Sequence, residues 1–508
     1  MSGDDGGRDA DVDADVTAGT DDRNGNGNEN ENAGARDADR AGLLDRLPPA
    51  LRTDTALIVA ALLGIYVLYV ASGVALGYSV RGQLNAVAVV TFYVAVFAML
   101  ALALNLQWGY TGLFNIGIVG FMAVGIYTMA IVSKQVYAPG SAASVGGLGA
   151  PIWVGMLAGT AVAAILGLIV ALPALRLRAD YLAIVTIAMS EIVRFTLLSN
   201  AFESFRLPVP YVSTAGVGTV TYRVGLGGGS GVILDFRDPL AAFVGAVGLT
   251  GPYGALVDLF GRVIEANPRP VVDGLVYGVV LLAFVAGYYW LLSRTGKSPF
   301  GRVLKAIRED EDVAGALGKD TRAFKVKAFM LGCALMGLGG ILWFMRQGAI
   351  TPNTYRPRLT FFVWIALIIG GAGSNTGSVV GGAIFAALLY QGPLYLKNLV
   401  NTVVPVSNAP GSFGPAVAPL IGRLDPVPFL LYTVDSVRQL QLVIMGVVLV
   451  VLMHRRPDGL LGYRTEAAAS IPLRLGRATP GAEGPEHGDG TDGTGGADPE
   501  GPGGGRDG

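Results

Sequence analysis

Residues 84–108 read LNAVAVVTFYVAVFAMLALALNLQW. No Asp, Glu, Lys or Arg interrupts them. At a rise of about 1.5 Å per residue, a helix of this length exceeds the ~30 Å hydrocarbon core of a bilayer. A soluble amphipathic helix would carry charge along one face; this stretch is apolar or small on every side. Comparable stretches recur at Ala56–Gly77, Leu113–Ser133, Ile152–Leu172, Tyr181–Leu198, Val271–Leu292, Phe324–Met345 and Leu440–His454. They predict an all-α fold, a polytopic transmembrane helix bundle with about eight full spans.

Composition supports this. Hydrophobic residues make up 52% of the chain and charged residues only 15%, against about a quarter charged in soluble domains. The net charge of -1 conceals a segregation. Residues 1–45 hold 13 acidic and 4 basic side chains, and residues 465–508 hold 8 and 3. The intervening chain is therefore strongly basic, as suits a protein set in anionic lipid. The acidic, Gly- and Asn-rich ends, 1–55 and 464–508, are expected to be disordered, leaving 56–463 as the membrane domain. The single cysteine, Cys333, allows no internal disulfide. The two histidines, His454 and His487, form no metal-ligating pattern. No basic segment followed by an apolar core stands at the start, so no cleaved signal is read.

One apolar region does not fit a single span. Leu359–Gln391 is too long, and its centre reads Gly370-Gly371-Ala372-Gly373-Ser374-Asn375-Thr376-Gly377. Its halves are too short to cross a bilayer separately. Helices broken at membrane depth are tolerated where they line a cavity or are buried in protein. A re-entrant hairpin or pair of bent helices is expected. Two small-xxx-small sites, Gly155 to Gly159 and Gly377 to Gly381, offer close helix crossings. Residues 199–270 and 392–436 read as long extracytoplasmic loops, and 238–262 as an extramembrane or interfacial excursion.

Lys and Arg set the orientation. The loop Arg294–Lys327 carries nine of them. Arg176 and Arg178 flank another turn, and Arg455 and Arg456 follow the last span. All three should be cytoplasmic. Counting spans from a cytoplasmic N-terminus satisfies all three only if 359–391 enters and leaves on one side.

Within that basic loop, 297–322 reads KSPFGRVLKAIREDEDVAGALGKDTR. Apolar residues at Val303, Ala306, Ile307, Val313, Ala316 and Leu317 follow helical spacing, and Gly318 is placed to stop the helix. Its apolar stripe needs a cover. By pattern alone, a soluble partner and the lipid surface serve equally. Gly296-Lys297-Ser298 resembles the end of a phosphate-binding loop, but Leu291 stands where that loop needs glycine. Nucleotide binding by this chain is rejected, and no enzyme-like set of nucleophile, base or metal ligands appears.

Four blocks of residues carry a resemblance. The first is Leu104-Asn105-Leu106-Gln107-Trp108-Gly109-Tyr110-Thr111-Gly112-Leu113, with Gly125-Ile126-Tyr127. The second is Leu175-Arg176-Leu177-Arg178, with Tyr181–Thr186 and Glu191-Ile192-Val193-Arg194. The third runs from Ser298-Pro299-Phe300-Gly301-Arg302 through Ala306-Ile307-Arg308-Glu309-Asp310 to Ala314 and Gly318. The fourth is Gly370–Ser374 with Arg456-Pro457-Asp458-Gly459-Leu460. In this order they resemble the permease subunits of branched-chain amino acid ABC importers. The resemblance implies a second, homologous permease, two ABC ATPase subunits and an extracytoplasmic amino-acid-binding protein as partners. It implies no cofactor and no nucleic acid. The third block would be the ATPase-coupling loop, with Gly301, Ala306, Ile307, Glu309, Asp310, Asp312, Ala314, Leu317 and Gly318 as its key residues, and this favours docking over a lipid-surface helix. Asn115-Ile116-Gly117-Ile118 replaces a Ser-Leu-Gly-His run common in the family, so the substrate stays open between branched-chain amino acids and urea or short amides. A stand-alone secondary carrier is the alternative from another class.

Polar residues inside spans mark the expected path. Glu191 and Arg194, three apart on one helix face, can pair. Buried ions in lipid face cavities or the bundle interior, so this pair either lines the route or orients its helix. Asn105 either meets a passing zwitterion or bonds across helices. Trp108 and Tyr110 read as interfacial anchors. The full expected path comprises Asn105, Gly109, Tyr110, Gly112, Asn115, Glu191, Arg194, Gly371 and Gly373.

Overall fold

A computed structural model describes residues 53–135, 145–175, 179–213, 216–234, 244–245, 248, 250–262, 264, 267–403 and 409–462. The two expected disordered ends and the Arg176/Arg178 flank lie outside the described residues.

The described residues open with α1 (Asp54–Ala75), capped by the Thr53 hydroxyl on the Ala56 amide. Next come α2 (Val80–Leu104), α3 (Ile118–Ser133), α4 (Ile152–Ala174) and α5 (Ala179–Leu198). Residues 199–270 were read as a loop but hold structure. Strands β1 (Phe205–Ser213) and β2 (Gly216–Val224) form an antiparallel hairpin. Strand β3 (Val232–Ile233) and helix α6 (Thr250–Gly261) follow. Pro208 and Pro210 argue against a strand on reading. A two-stranded ribbon tolerates them because both of its strands are edges.

Helix α7 (Arg269–Lys297) leads into α8 (Pro299–Glu309), α9 (Glu311–Ala316) and α10 (Thr321–Phe344). Strand β4 (Ala349–Ile350) pairs with β3. Helices α11 (Pro357–Gly370) and α12 (Asn375–Ile384) form the two sides of the expected break. The last described helices are α13 (Gly392–Val403), α14 (Phe413–Arg423), α15 (Val427–Asp435) and α16 (Val437–Arg455).

Among the described residues, seven helices are long and apolar enough to cross a membrane, and α3, α11 and residues 441–455 are shorter apolar helices. Every expected span coincides with a helix. One is trimmed: Leu113–Gly117, expected to be helical, is unwound, and α3 begins at Ile118.

The break corrects a second expectation. Both arms were expected to be short. Only α11 is. The other arm runs from Asn375 to Thr402, 28 residues, through a π-helical turn at Phe385–Gln391. Pro393, within this arm, has no N–H for the Leu389 carbonyl. The Gln441 side chain supplies donors instead, to Leu389 O at 2.8 Å and Tyr390 O at 3.2 Å. The start of the expected 392–436 loop is therefore helix α13.

Helices α2 and α10 form the centre. Their most apolar windows are 83% and 78% buried, against 17% for α1. Small residues let the neighbours close in. The Gly155–Gly159 site is a true crossing: a Cβ on Gly159 would stand 2.3 Å from the Gly125 carbonyl oxygen, and one on Gly125 would stand 2.5 Å from that of Gly337. Helices α3, α4 and α10 meet there almost backbone to backbone. Gly159→Leu is expected to cost about 1–3 kcal/mol or more through overpacking; the check is the fraction of protein left monodisperse after heating in detergent. The outer surfaces are apolar, with Leu63 and Val67 on α1, Leu157 and Ile169 on α4, and Val447 and Val450 on α16 all exposed. Such faces are suited to lipid.

Candidate translocation and coupling site

The helix break is built from glycine. Gly371 (φ 106°) and Gly373 (φ 92°) adopt backbone that side chains disfavour. Ser374 then restarts the chain as the cap of α12, accepting from the Gly377 amide at 3.0 Å. The carbonyls at the end of α11 also find donors. Leu460 N–H donates to Ile369 O (2.8 Å) and Leu461 N–H to Gly370 O (3.0 Å). The segment Arg456–Leu460, recognised only as a closing block, is thus the clasp of the break. Gly371 has no room for a Cβ, because Gly462 N and Asp458 O would lie 2.6 and 2.7 Å from it.

Asn105 bridges this break to α2. Its Oδ1 accepts from Gly373 N–H at 2.7 Å, and its Nδ2 donates to Asn375 Oδ1 at 3.0 Å. Asn375 Nδ2 in turn donates to Ser293 Oγ on α7 at 3.3 Å. Tyr289 and Thr376 share a hydrogen bond of 3.1 Å beside it. Both asparagines are fully buried. Of the two readings open for Asn105, the structure has the bond across helices.

Asn105 also begins a π-helical turn, Asn105–Gly109. Such turns occur within α-helices mainly at functional sites. After it, Gly112 (φ 69°) unwinds the chain. The backbone of 113–117 is satisfied from several helices, which explains why no helix is needed there. Trp364 Nε1 donates to Asn115 O (3.1 Å), and Ile116 N–H donates to Thr186 Oγ1 (3.0 Å). Asn115 Nδ2 donates to Gln107 Oε1 (2.9 Å), and Gln107 Nε2 to Phe329 O on α10 (3.0 Å).

The expected single coupling helix is two helices. Asp310 leaves helical geometry (φ -156°, ψ 110°), and its carboxylate caps α9 through Val313 N at 3.0 Å. The stripe is split accordingly. Leu304, Ile307 and Ala314 are buried against the bundle, whereas Val313 (55%) and Leu317 (73%) are exposed. Gly301 faces inward too: a Cβ there would lie 2.2 Å from Thr295 O. Gly301, Ile307 and Ala314 therefore seat the helices, and Ala306, Glu309, Asp310, Asp312, Leu317 and Gly318 face outward.

Helix α8 grips the π-helical turn. Arg308 Nη1 donates to the Gly109 carbonyl. Lys305 Nζ donates to Gly296 O at 3.3 Å and lies 5.3 Å over the Tyr110 ring. Tyr110 is fully buried, not an interfacial anchor. Gly296 leaves it space, since a Cβ there would meet the phenol oxygen at 2.8 Å. Trp108 packs on Phe114 and Trp364.

Glu191 and Arg194 pair with each other, Arg194 Nε to Glu191 Oε2 at 2.9 Å. Arg194 also lies over the Phe195 ring at 4.4 Å. Among the described residues, neither bonds to the Asn105–Asn375 set. The structure thus gathers Asn105, Gly109, Gly371 and Gly373 at one place, with Tyr110, Gly112 and Asn115 just beyond. Sequence reasoning did not single out Gln107, Thr186, Asn375 or Arg308 for this site, although all four lie in or beside quoted blocks.

Comparison with known proteins places the chain. Residues 86–453 match the family model described as branched-chain amino acid transport system / permease component. The high-affinity branched-chain amino acid transport system permease protein LivM of Escherichia coli (strain K12) is 30% identical over 281 residues, 55% of this chain and 57% of that protein. The probable LivM of Methanocaldococcus jannaschii is 24% identical over 340 residues, 62% of this chain and 84% of the relative. The autoinducer 2 import system permease protein LsrC of Escherichia coli O157:H7 is 29% identical over 210 residues, covering 38% and 57%. The chain spans a little over half the length of the first two curated relatives it matches. No solved structure matches. The chain is an integral membrane protein of the branched-chain amino acid transport permease family.

Proposed function

We propose that the chain is one permease half of an ABC importer for branched-chain amino acids. It pairs with a second, homologous permease, and two separate ATPase subunits dock on α8 and α9. An external binding protein delivers the solute. The reading places the N-terminus and 297–322 in the cytoplasm and the 199–270 and 392–436 segments outside. Relatives named for branched-chain amino acid transport favour that cargo over urea or short amides.

One observation carries the proposal. The surface helix α8 is tied through Arg308 to Gly109, and the same π-helical turn holds the helix break through Asn105. A push on α8 thus reaches the break through two hydrogen bonds and a single turn of helix. ATP-driven closure of the docked subunits would move α8 and so repack the break. This gives a two-state element that both ends can bias. The course of α11, α12 and α13 supports the orientation. The pair turns at Gly373 beside Gly109 and returns, so that it enters and leaves on one side.

Val313→Asp with Leu317→Asp is the docking test. Both side chains are exposed, so the permease alone should keep its stability. Co-purification of the ATPase subunits and ATP-driven leucine uptake in proteoliposomes should each fall about tenfold or more, the loss of a small apolar contact cluster. Unchanged docking would favour a lipid-surface role for α9. Uptake that persists without any ATPase subunit would make the chain a secondary carrier.

A further inference from the structure

A cavity of about 880 Å³ opens between the end of α10, the start of α11, and the α13 and α16 helices. That size falls within the range of small-molecule pockets. Its walls are aromatic: Tyr93, Trp343, Phe362 and Tyr390 line it. Their rings contact one another, Tyr93 with Tyr390 at 5.0 Å and Phe362 with Tyr390 at 5.9 Å between centroids. Arg356 and Arg358 also line it, and both are exposed. Arg358 lies 5.3 Å over the Phe362 ring. Among the described residues, no Asp or Glu lines the cavity and no ion pair engages either arginine.

We infer that this cavity is an entry site for a small apolar α-amino acid, read by its carboxylate. The inference rests on the transport reading above. Each guanidinium is a planar fork that can hold a carboxylate through two hydrogen bonds, and neither has a carboxylate partner among the described residues. Aromatic faces below them suit an aliphatic side chain, and they attract an ammonium group through their ring quadrupoles. Gln347 and Asn353 add neutral oxygens for that ammonium. A cavity meant for urea or an amide would have no use for two unneutralised cations.

Position agrees with chemistry. Helix α10 starts directly after the coupling helices and ends at the cavity, and its 24 residues span roughly 36 Å. The cavity is therefore at the end of the bundle away from α8. It is also wired to the break. Gln391 lines the cavity from the π-helical turn within the long arm that begins at Asn375. Gln441, also in the lining, holds that turn by its carbonyls. A solute seated here touches, about midway along its length, the arm that Asn105 holds at the break.

The test uses the full-length chain alone in nanodiscs, so that no ATPase or binding protein is needed. The methyl groups of L-leucine and of L-leucinamide, which lacks the carboxylate, are followed by saturation-transfer difference NMR. Leucine should bind in the millimolar range and leucinamide at least about tenfold more weakly, the loss of charge-assisted hydrogen bonds. R356Q/R358Q should weaken leucine to the level of leucinamide and leave leucinamide unchanged. Equal binding of the two ligands, no leucine binding at all, or full leucine binding in the double variant would each overturn the site. The comparison of ligands needs no variant, so misfolding cannot obscure it. Nanodiscs of phosphatidylcholine and of phosphatidylglycerol complete the design. Leucine binding that is the same in both supports the proposal. Binding abolished by the anionic lipid, and restored by R356Q/R358Q, would assign the arginines to lipid phosphate and overturn it. ATP-driven leucine uptake by a permease that binds no leucine here would remove the entry site and leave the transport function standing.

Discussion

If the proposed reading holds, the assembly carrying Arg308→Ala is expected to keep hydrolysing ATP while leucine uptake falls severalfold or more. Arg308 is exposed, and among the described residues its guanidinium hydrogen-bonds across the helices to the Gly109 carbonyl alone. Its removal should not unfold the bundle. It does not alter the outward face of α9, so the ATPase subunits should still dock. What is lost is the connection between α8 and the π-helical turn. A typical coupling energy between sites corresponds to about a 5- to 150-fold effect, and uptake should fall within that range. ATP hydrolysis should stay within about twofold, since docking energy is untouched. Arg308→Lys should restore part of the uptake, because an ammonium can donate one bond but lacks the planar fork. Both rates are measured in the same proteoliposomes. Uptake and hydrolysis falling together would show that Arg308 serves docking rather than transmission.

Asn105→Leu is expected to be among the most destabilising single changes in the chain. Leucine keeps the volume but removes an acceptor from Gly373 N–H and a donor from Asn375. Gly373 lies outside regular helix, so its amide has no intrahelical acceptor to turn to. Each buried polar group left unpaired costs about 1–3 kcal/mol, although hydrogen bonds between membrane helices average lower. A net loss of roughly 2–4 kcal/mol follows. The apparent melting temperature in detergent should drop by about 5 °C or more. Asn85→Leu on the exposed part of the same helix is the control, and it should leave stability nearly unchanged. Equal melting of the two variants would mean that the break is held by packing and not by Asn105.

Much of this was legible in the sequence, and for clear reasons. A run such as 84–108 has no charge to place in water, so it can only be buried or in lipid. The break was legible because Gly370–Gly377 contains too many glycines to continue a helix. What escaped was decided by tertiary contacts. Helix spacing continues through Asp310, and only its capping of Val313 splits the coupling segment in two. Pro393 looks like a stop signal, and Gln441, far along the chain, supplies the donors that let the helix continue. Tyr110 has the composition of an interfacial anchor, yet Gly296 on another helix opens a buried site for it. The cavity at Arg356 and Arg358 is assembled from five helices, and no local pattern announces it. Glu191 and Arg194 were legible as a pair because their spacing alone brings them together.

The clasp formed by Arg456–Gly462 has a consequence for biosynthesis. The carbonyls of Ile369 and Gly370 receive their donors from Leu460 and Leu461, which a ribosome adds only after α16 has been made. Until those donors arrive the two carbonyls lack their native partners. The nascent chain can thus insert its spans one after another, but its hinge stays open until the last helix arrives. A chain halted before residue 460 would contain all the described helices and still lack a closed break.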